Sequence, residues 1–373
     1  MSSPLQYQIA LSLLPRIGAI NARRLVAYMG SAQAVFEASK KQLNDIPGIG
    51  DALRKTILSE RDKALIKAEQ ELLFIEKYNL KTFYYLDKNY PKRLAQCEDA
   101  PVIMFMKGNA DLNSARIISI VGTRNATENG REMTNELIEG LAKNGIQTLV
   151  VSGLAFGIDV MAHKAALKAQ MPTVGVVGHG LDKMYPSIHA SIAKEMIQQQ
   201  GGLLSDFTSG SKIDPGNFLR RNRIIAGLSD CTIVIESAEK GGALVTADIA
   251  NSYNRDVFAF PGRTTDQYSK GCNSLIKNNK AALIENSADL IAFMGWESNK
   301  KPVQQPLLIE LNDEEKQIID LLKQYDITTN DLISRTIELP VQKINSILLG
   351  LEFQGVVKSL PGSRFKLIAN INY

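Results

Sequence analysis

Five short runs of aliphatic and β-branched residues, each closed by a small-residue turn, recur through the middle of this chain. Ile117–Val121 runs into Gly122-Thr123-Arg124, Thr148–Val151 into Ser152-Gly153, and Thr173–Val177 into Gly178-His179-Gly180. Cys231–Ile235 runs into Glu236, and Val257–Phe260 into Pro261-Gly262. Runs this uniformly apolar belong to strands buried on both faces, and helical patterns separate most of them, for example Gly130 to Leu141. Strand, turn and helix in alternation predict an α/β chain with a parallel, doubly wound sheet. In such sheets ligands sit beyond the carboxyl ends of the strands, where the small-residue turns lie. Helix N-termini in those turns attract anions through free N–H groups and the helix dipole.

The chain has 373 residues, enough for two or three domains. Hydrophobic residues at 45% and charged residues at 22% place it among soluble globular proteins. A net charge of +4 admits a polyanionic partner without requiring one, so the distribution of charge decides. Cys97, Cys231 and Cys272 fit no metal or redox spacing, and a reducing compartment is expected. The first residues lack a basic segment followed by an apolar core, and no segment is long and apolar enough to span a membrane. A cytoplasmic protein is the expectation.

Residues 1–80 read as an all-helical domain with two similar Pro/Gly turns, one around Pro15 to Gly18 and one around Pro47 to Gly50. These resemble the helix-hairpin-helix motif, whose glycine turn brings backbone N–H groups to a DNA phosphate. The same turns also serve to pack two helices together, as in sterile-alpha-motif-like folds. Both readings stand, with Arg23, Arg24, Arg54 and Lys55 available to the first. Residues 81–297 hold the sheet, and 298–306 form a polar linker. Within 307–373, Asn312 and Glu315 make a capping box, a helix follows Thr328-Thr329-Asn330-Asp331, and another starts at Pro340. A hairpin turning at Pro361-Gly362-Ser363 completes a winged helix. Its third helix exposes Gln342, Lys343, Asn345 and Ser346, only modestly basic for a helix that would read a major groove.

The chemistry of the core concentrates at Phe218-Leu219-Arg220-Arg221-Asn222-Arg223. Arginine forks match phosphate oxygens, and phenylalanine offers a face for a base. A helix start whose arginines pair with carboxylates is the plainer reading of that cluster. No G-x-G-x-x-G turn, Walker A sequence, zinc spacing or G-x-S-x-G elbow accompanies it. Asp159 and His163 share a helix face, where an N-terminal Asp paired with a packed His outweighs a metal or acid/base pair. No catalytic set, metal or cofactor is expected, and the protein reads as a non-enzyme.

Six motifs in order carry a resemblance: Val121-Gly122-Thr123-Arg124; Ser152-Gly153-Leu154-Ala155-x-Gly157-Ile158-Asp159-x-x-Ala162-His163; Gly178-x-Gly180-Leu181-Asp182-x-x-Tyr185-Pro186; Arg221 to Ser229; Gly242-Ala243-Leu244-x-Thr246-Ala247; and Phe258-Ala259-x-Pro261-Gly262. Together they resemble the bacterial DNA-processing protein A family, also called Smf. The resemblance implies an extended Rossmann-like core that binds single-stranded DNA, forms homodimers through that core, and loads a RecA-type recombinase during natural transformation. It implies DNA contacts at Arg124, Phe218, Arg221, Asn222 and Arg223, and more weakly at Lys212. Gly122, Thr123, Ser152, Gly153 and Gly157 would shape the turns that face the phosphates. The chain departs from the family pattern at Asp206 (commonly Glu), Leu219 (commonly Pro), Ala243 (commonly Ser), His189 (frequently Asn) and Asn254 (frequently Gly).

Two rival functions follow from the same residues. Glu236, Gly241-Gly242 and Thr246 are similar to the Pro-Gly-Gly-x-Gly-Thr loop of nucleotide phosphoribohydrolases, without its proline and third glycine. A winged-helix transcription regulator with a ligand-sensing core would instead prefer duplex DNA.

Overall fold

Ile117, Val121, Leu149, Val151, Val174 and Val176 point to one side of a sheet, and Ile118, Ile120, Val150 and Ile233 to the other. This two-sided burial is why the runs carry no polar alternation. The computed structural model describes residues 3–297, 311–325, 327–360 and 362–367. The chain divides into two compact units, residues 1–299 and residues 300–373.

Five helices come first: α1 (Pro4–Leu13), α2 (Ala19–Met29), α3 (Ala32–Glu37), α4 (Lys40–Asn44) and α5 (Asp51–Tyr78). β1 (Lys81–Tyr84) and β2 (Ile103–Gly108) follow, with the short α6 (Lys92–Ala95) between them. The alternating core then runs β3 (Ile117–Val121), α7 (Glu128–Lys143), β4 (Leu149–Ser152), α8 (Ile158–Lys168), β5 (Thr173–Val176), α9 (Ala190–Gln198) and β6 (Gly202–Ser205). It continues through α10 (Pro215–Leu228), β7 (Cys231–Val234), α11 (Gly242–Ser252), β8 (Asp256–Ala259), α12 (Lys270–Lys277), β9 (Ala282–Leu283) and α13 (Ser287–Phe293).

The strands form one sheet in the order β1-β2-β6-β5-β4-β3-β7-β8-β9. β6 through β9 pair in parallel, as the sequence predicts. β2 pairs antiparallel with β6, and β1 antiparallel with β2, so the sheet is mixed rather than wholly parallel. Helices α10 and α11 cover one face through Ile224, Ile225, Ala247 and Ala250, and α7, α8 and α13 cover the other through Leu137, Ile138, Ala162 and Leu290.

The helical segment shares its core with the sheet edge. Tyr84, Val102, Ile103 and Phe105 lie in one buried cluster with Ile9, Leu25, Phe36, Leu43 and Ile57, while Met104 and Met106 turn to the opposite side. Residues 1–80 therefore change texture within one compact unit. The linker proposed at 298–306 lies outside the described residues.

The second unit contains α14 (Asp313–Gln324), β10 (Thr328–Thr329), α15 (Asn330–Ile337), α16 (Val341–Phe353), β11 (Val357–Leu360) and β12 (Arg364–Leu367). The Asn312–Glu315 capping box forms, and a three-stranded antiparallel sheet in the order β10-β12-β11 completes the winged helix. Pro340 stands at the N-cap of α16 rather than inside its first turn.

Candidate nucleic-acid interface

Strand order reverses between β3 and β7, and a crevice of about 580 Å³ opens where their carboxyl ends diverge. The turn after β3 supplies Gly122, Thr123 and Arg124. Glycine is required at Gly122, because a Cβ there would lie 2.4 Å from the Ile158 side chain. Thr123 is held at both backbone ends: its N–H donates to the Glu236 carbonyl (2.8 Å) and its carbonyl accepts from the Ile158 N–H (3.1 Å). Arg124 is consequently thrust outward, exposed, with no hydrogen bond or ion pair among the described residues.

The opposite wall is the turn after β7. Lys240 and Gly241 are exposed, and α11 begins at Gly242 with no side chain capping it. The Gly242 and Ala243 amides of that first turn lie at a crevice that already holds Arg124 and Lys240, two cations with no partner among the described residues. Asn125 donates to the Tyr268 hydroxyl at 3.1 Å and so ties the two rims together. From the side, α10 presents Phe218, Arg221 and Asn222. Asp214 caps that helix by accepting from the Gly216 N–H (2.7 Å), with Pro215 behind it. Phe218 packs against Tyr185 with ring centroids 5.6 Å apart.

The floor is built from charge. Arg221 is 4% exposed, and its Nη1 donates to the Gly153 carbonyl (2.6 Å) and to the Val176 carbonyl. Burial lowers it to about 10, so it stays protonated at neutral pH. Asp159 lies beside it, its carboxyl raised by burial and pulled back by Arg221 and by the backbone at Ala155. His163, also fully buried, is pushed down to about 3 by burial and then by Arg221 and His189, so it is neutral. Its Nδ1 bonds to Thr173 Oγ1 at 2.7 Å. Asp159 and His163 are both packed residues, but each has a different partner and they do not form the expected pair.

The structure therefore divides the residues singled out by sequence. It brings Gly122, Thr123, Arg124, Phe218, Arg221 and Asn222 to the crevice, Arg221 as floor rather than as a free phosphate donor. Ser152 is fully buried and donates to the Ile120 carbonyl (2.6 Å). Gly153 lies under the floor, where a Cβ would sit 2.4 Å from Asp159 and 2.5 Å from Arg221. Gly157 (φ +77°) precedes α8 so closely under the β3 turn that a Cβ would meet the Thr123 carbonyl at 2.1 Å. These three set the shape of the turns without lining the space. Arg223 points away: it donates to the Asp99 carbonyl and pairs with Asp206 at 2.7 Å. Lys212 is exposed on the loop before α10, outside the crevice. Sequence reasoning missed Lys240, Asn125 and Tyr268. Only a basic residue beside a double glycine hinted at the first of them.

Glu236 is also accounted for. Its carboxylate accepts from the Thr127 N–H (3.0 Å) and from the Thr127 hydroxyl, against the start of α7, where a Cβ on Gly130 would strike it. Among the described residues no group of acidic, His or Cys side chains is arranged to hold a metal, and no helix is long and apolar enough to cross a membrane.

In the helical segment, Arg23 donates to the Cys97 and Ala100 carbonyls and lies over the Tyr85 ring. Arg24 bonds to the Gly48 carbonyl, and Arg54 to Asp51 and the Asn44 carbonyl. On α16 of the second unit, Lys343 pairs with Glu314 and Asn345 accepts from Asn330, while Phe353 stands 84% exposed.

Residues 81–295 match the family profile described as DNA recombination-mediator protein A, and residues 302–363 match the DprA winged helix domain. The chain is 30% identical to Protein Smf of Synechocystis sp., over 96% of this chain and 98% of the relative. It is 36% identical to the DNA processing protein DprA of Streptococcus pneumoniae, over 67% of this chain and 86% of the relative. The X-ray structure of the S. pneumoniae protein superposes with a TM-score of 0.66 at 31% identity, covering 77% of this chain and 97% of that one. A Helicobacter pylori DNA processing protein A, solved for its single-stranded DNA binding mode, superposes with a TM-score of 0.52 at 29% identity, covering 60% of this chain and 98% of that one.

Proposed function

The chain belongs to the DNA recombination-mediator protein A family, and on that premise we propose that its sheet-end crevice binds single-stranded DNA and that the bound form delivers the strand to a RecA-type recombinase. One observation carries the binding half: Arg124 and Lys240, both exposed and unpaired among the described residues, line a crevice that also holds an uncapped helix start and the Phe218 ring. The two cations neutralise phosphates and release counterions, the α11 amides take a phosphate oxygen, and Phe218 stacks on a base. Asn222, half-buried on the same wall, adds a polar edge. Readout is indifferent to sequence, because no contact in this set selects a base. Delivery to a recombinase and self-association through the sheet unit are carried by family membership.

The same site argues for a binder over a hydrolase. Glycosidic cleavage requires a carboxylate free to act as acid or base, and Glu236 is bound to Thr127 away from the crevice. Duplex reading by the winged helix is disfavoured because Lys343 and Asn345 are engaged within their own unit.

Anisotropy titration of single-stranded against duplex oligonucleotides tests the reading. The single strand is expected to bind more tightly. Arg124→Ala or Lys240→Ala each weakens binding and flattens the slope of log affinity against log salt by about 0.7. Phe218→Ala costs about 1–3 kcal/mol with little change in slope. Equal affinity for duplex, or unchanged slopes in both cation variants, would sink the assignment.

A further inference from the structure

Beyond the crevice the strand ends carry apolar side chains that packing does not use. Phe156, in the turn between β4 and α8, is 47% exposed. Tyr185 and Ile188, between β5 and α9, are 48% and 72% exposed. The Phe156 ring meets His189 edge-on at a centroid distance of 5.1 Å. His189 is itself buried, its Nδ1 bound to the Leu154 carbonyl at 2.9 Å, so the exposed ring rests on a fixed support. Tyr185 is likewise braced: its N–H donates to His179 Nε2 at 3.2 Å and its ring lies against Phe218.

We infer that Phe156 and Tyr185 form a second stacking platform, which takes bases of the same DNA strand where it leaves the crevice. The inference rests on the reading of the crevice as a single-strand site. The exposed groups at its centre are flat rings, each held in place, which suits the face of a base. The patch is also continuous with the crevice. Ala155, the residue before Phe156, lines the crevice, and Tyr185 touches the Phe218 that forms its side wall. A strand anchored by its phosphates between Arg124 and Lys240 thus meets rings in sequence on leaving. A longer strand therefore gains affinity from bases rather than from additional charge neutralisation.

The test uses the full chain with three probes: an oligothymidylate of roughly 15 nucleotides, the same length made of abasic sites, and one of roughly 4 nucleotides. Phe156→Ala is expected to weaken the long strand about fivefold or more while leaving the abasic and short strands, and the salt slope, as in the wild type. Phe156→Trp keeps wild-type affinity, and its added fluorescence is quenched by the long strand and not by the abasic one. Equal affinity of Phe156→Ala and wild type for the long strand overturns the proposal, as does an equal loss on the abasic strand. A change in self-association by light scattering with unchanged strand affinity overturns it too, and makes the ring a protein contact. A wild type that binds no single strand removes the crevice reading itself, an outcome distinct from failure of the platform alone.

Discussion

The turn after β3 and the start of α10 each bring an arginine to the same crevice, and the two arginines serve opposite ends. Arg124 sits on a turn pinned at both backbone ends and has no bonding partner among the described residues, so its charge faces solvent. Arg221 projects from the second turn of a helix that lies across the sheet, and it is buried among carbonyls that end strands β4 and β5. A buried guanidinium supports structure because its removal strands acceptors and a carboxylate, whereas an exposed one contributes to stability very little. Residue type and position in a motif do not separate these cases. Depth does.

The largest expected effect comes from breaking the floor. Arg221→Ala leaves the Gly153 and Val176 carbonyls without their donor and Asp159 without its counter-charge, at a cost of about 3 kcal/mol or more in unfolding free energy. Arg124→Ala costs within about 0.5 kcal/mol. Urea denaturation followed by circular dichroism reads both. Equal stability of the two variants would erase the distinction between floor and wall.

Next in size is a pH effect from the same buried field. His163 falls to about 3 in the folded chain from an ordinary value of 6.5, chiefly through burial and then through Arg221. Between those values the unfolded chain binds a proton that the folded chain refuses. Its contribution is therefore intact above pH 6.5 and lost as pH falls, by about 1.4 kcal/mol per unit. The difference in stability between wild type and His163→Gln should shrink on acidification from pH 7 to 5. A difference that stays constant across that range would mean that His163 does not titrate on unfolding.

The smallest effect belongs to the helical segment, whose basic turns look as suited to DNA as Arg124 does. Arg24→Ala and Lys55→Ala should leave the salt slope of strand binding unchanged, because Arg24 already serves the Gly48 carbonyl and neither lies at the crevice. A slope flattened by about 0.7 in either variant would restore the helix-hairpin-helix contact.

Most of the architecture was legible because its signals are local. A short, β-branched apolar run closed by a small-residue turn reads as a buried strand, and the Asn312–Glu315 spacing marks a helix start. β1 and β2 were harder to read. Ile103–Met106 is apolar enough for a strand, but its antiparallel partner β6 lies about a hundred residues away, so nothing local reveals the pairing. In the site, Gly122, Arg124 and Phe218 were legible from motif and residue chemistry. Lys240 was not, since nothing near it in the chain reveals that β7 ends beside β3.

The sequence by itself determined a doubly wound core, its glycine-shaped strand ends, a helical start and a winged helix, because periodicity, turn chemistry and capping act over a few residues. Only the tertiary structure decided which charges are free. Glu236 is occupied by Thr127, Arg223 by Asp206 and Asp99, and Arg23 by the carbonyls of Cys97 and Ala100, each partner lying from 17 to more than a hundred residues away. A charged side chain takes the partner that burial leaves within reach, and burial is a property of the packed whole.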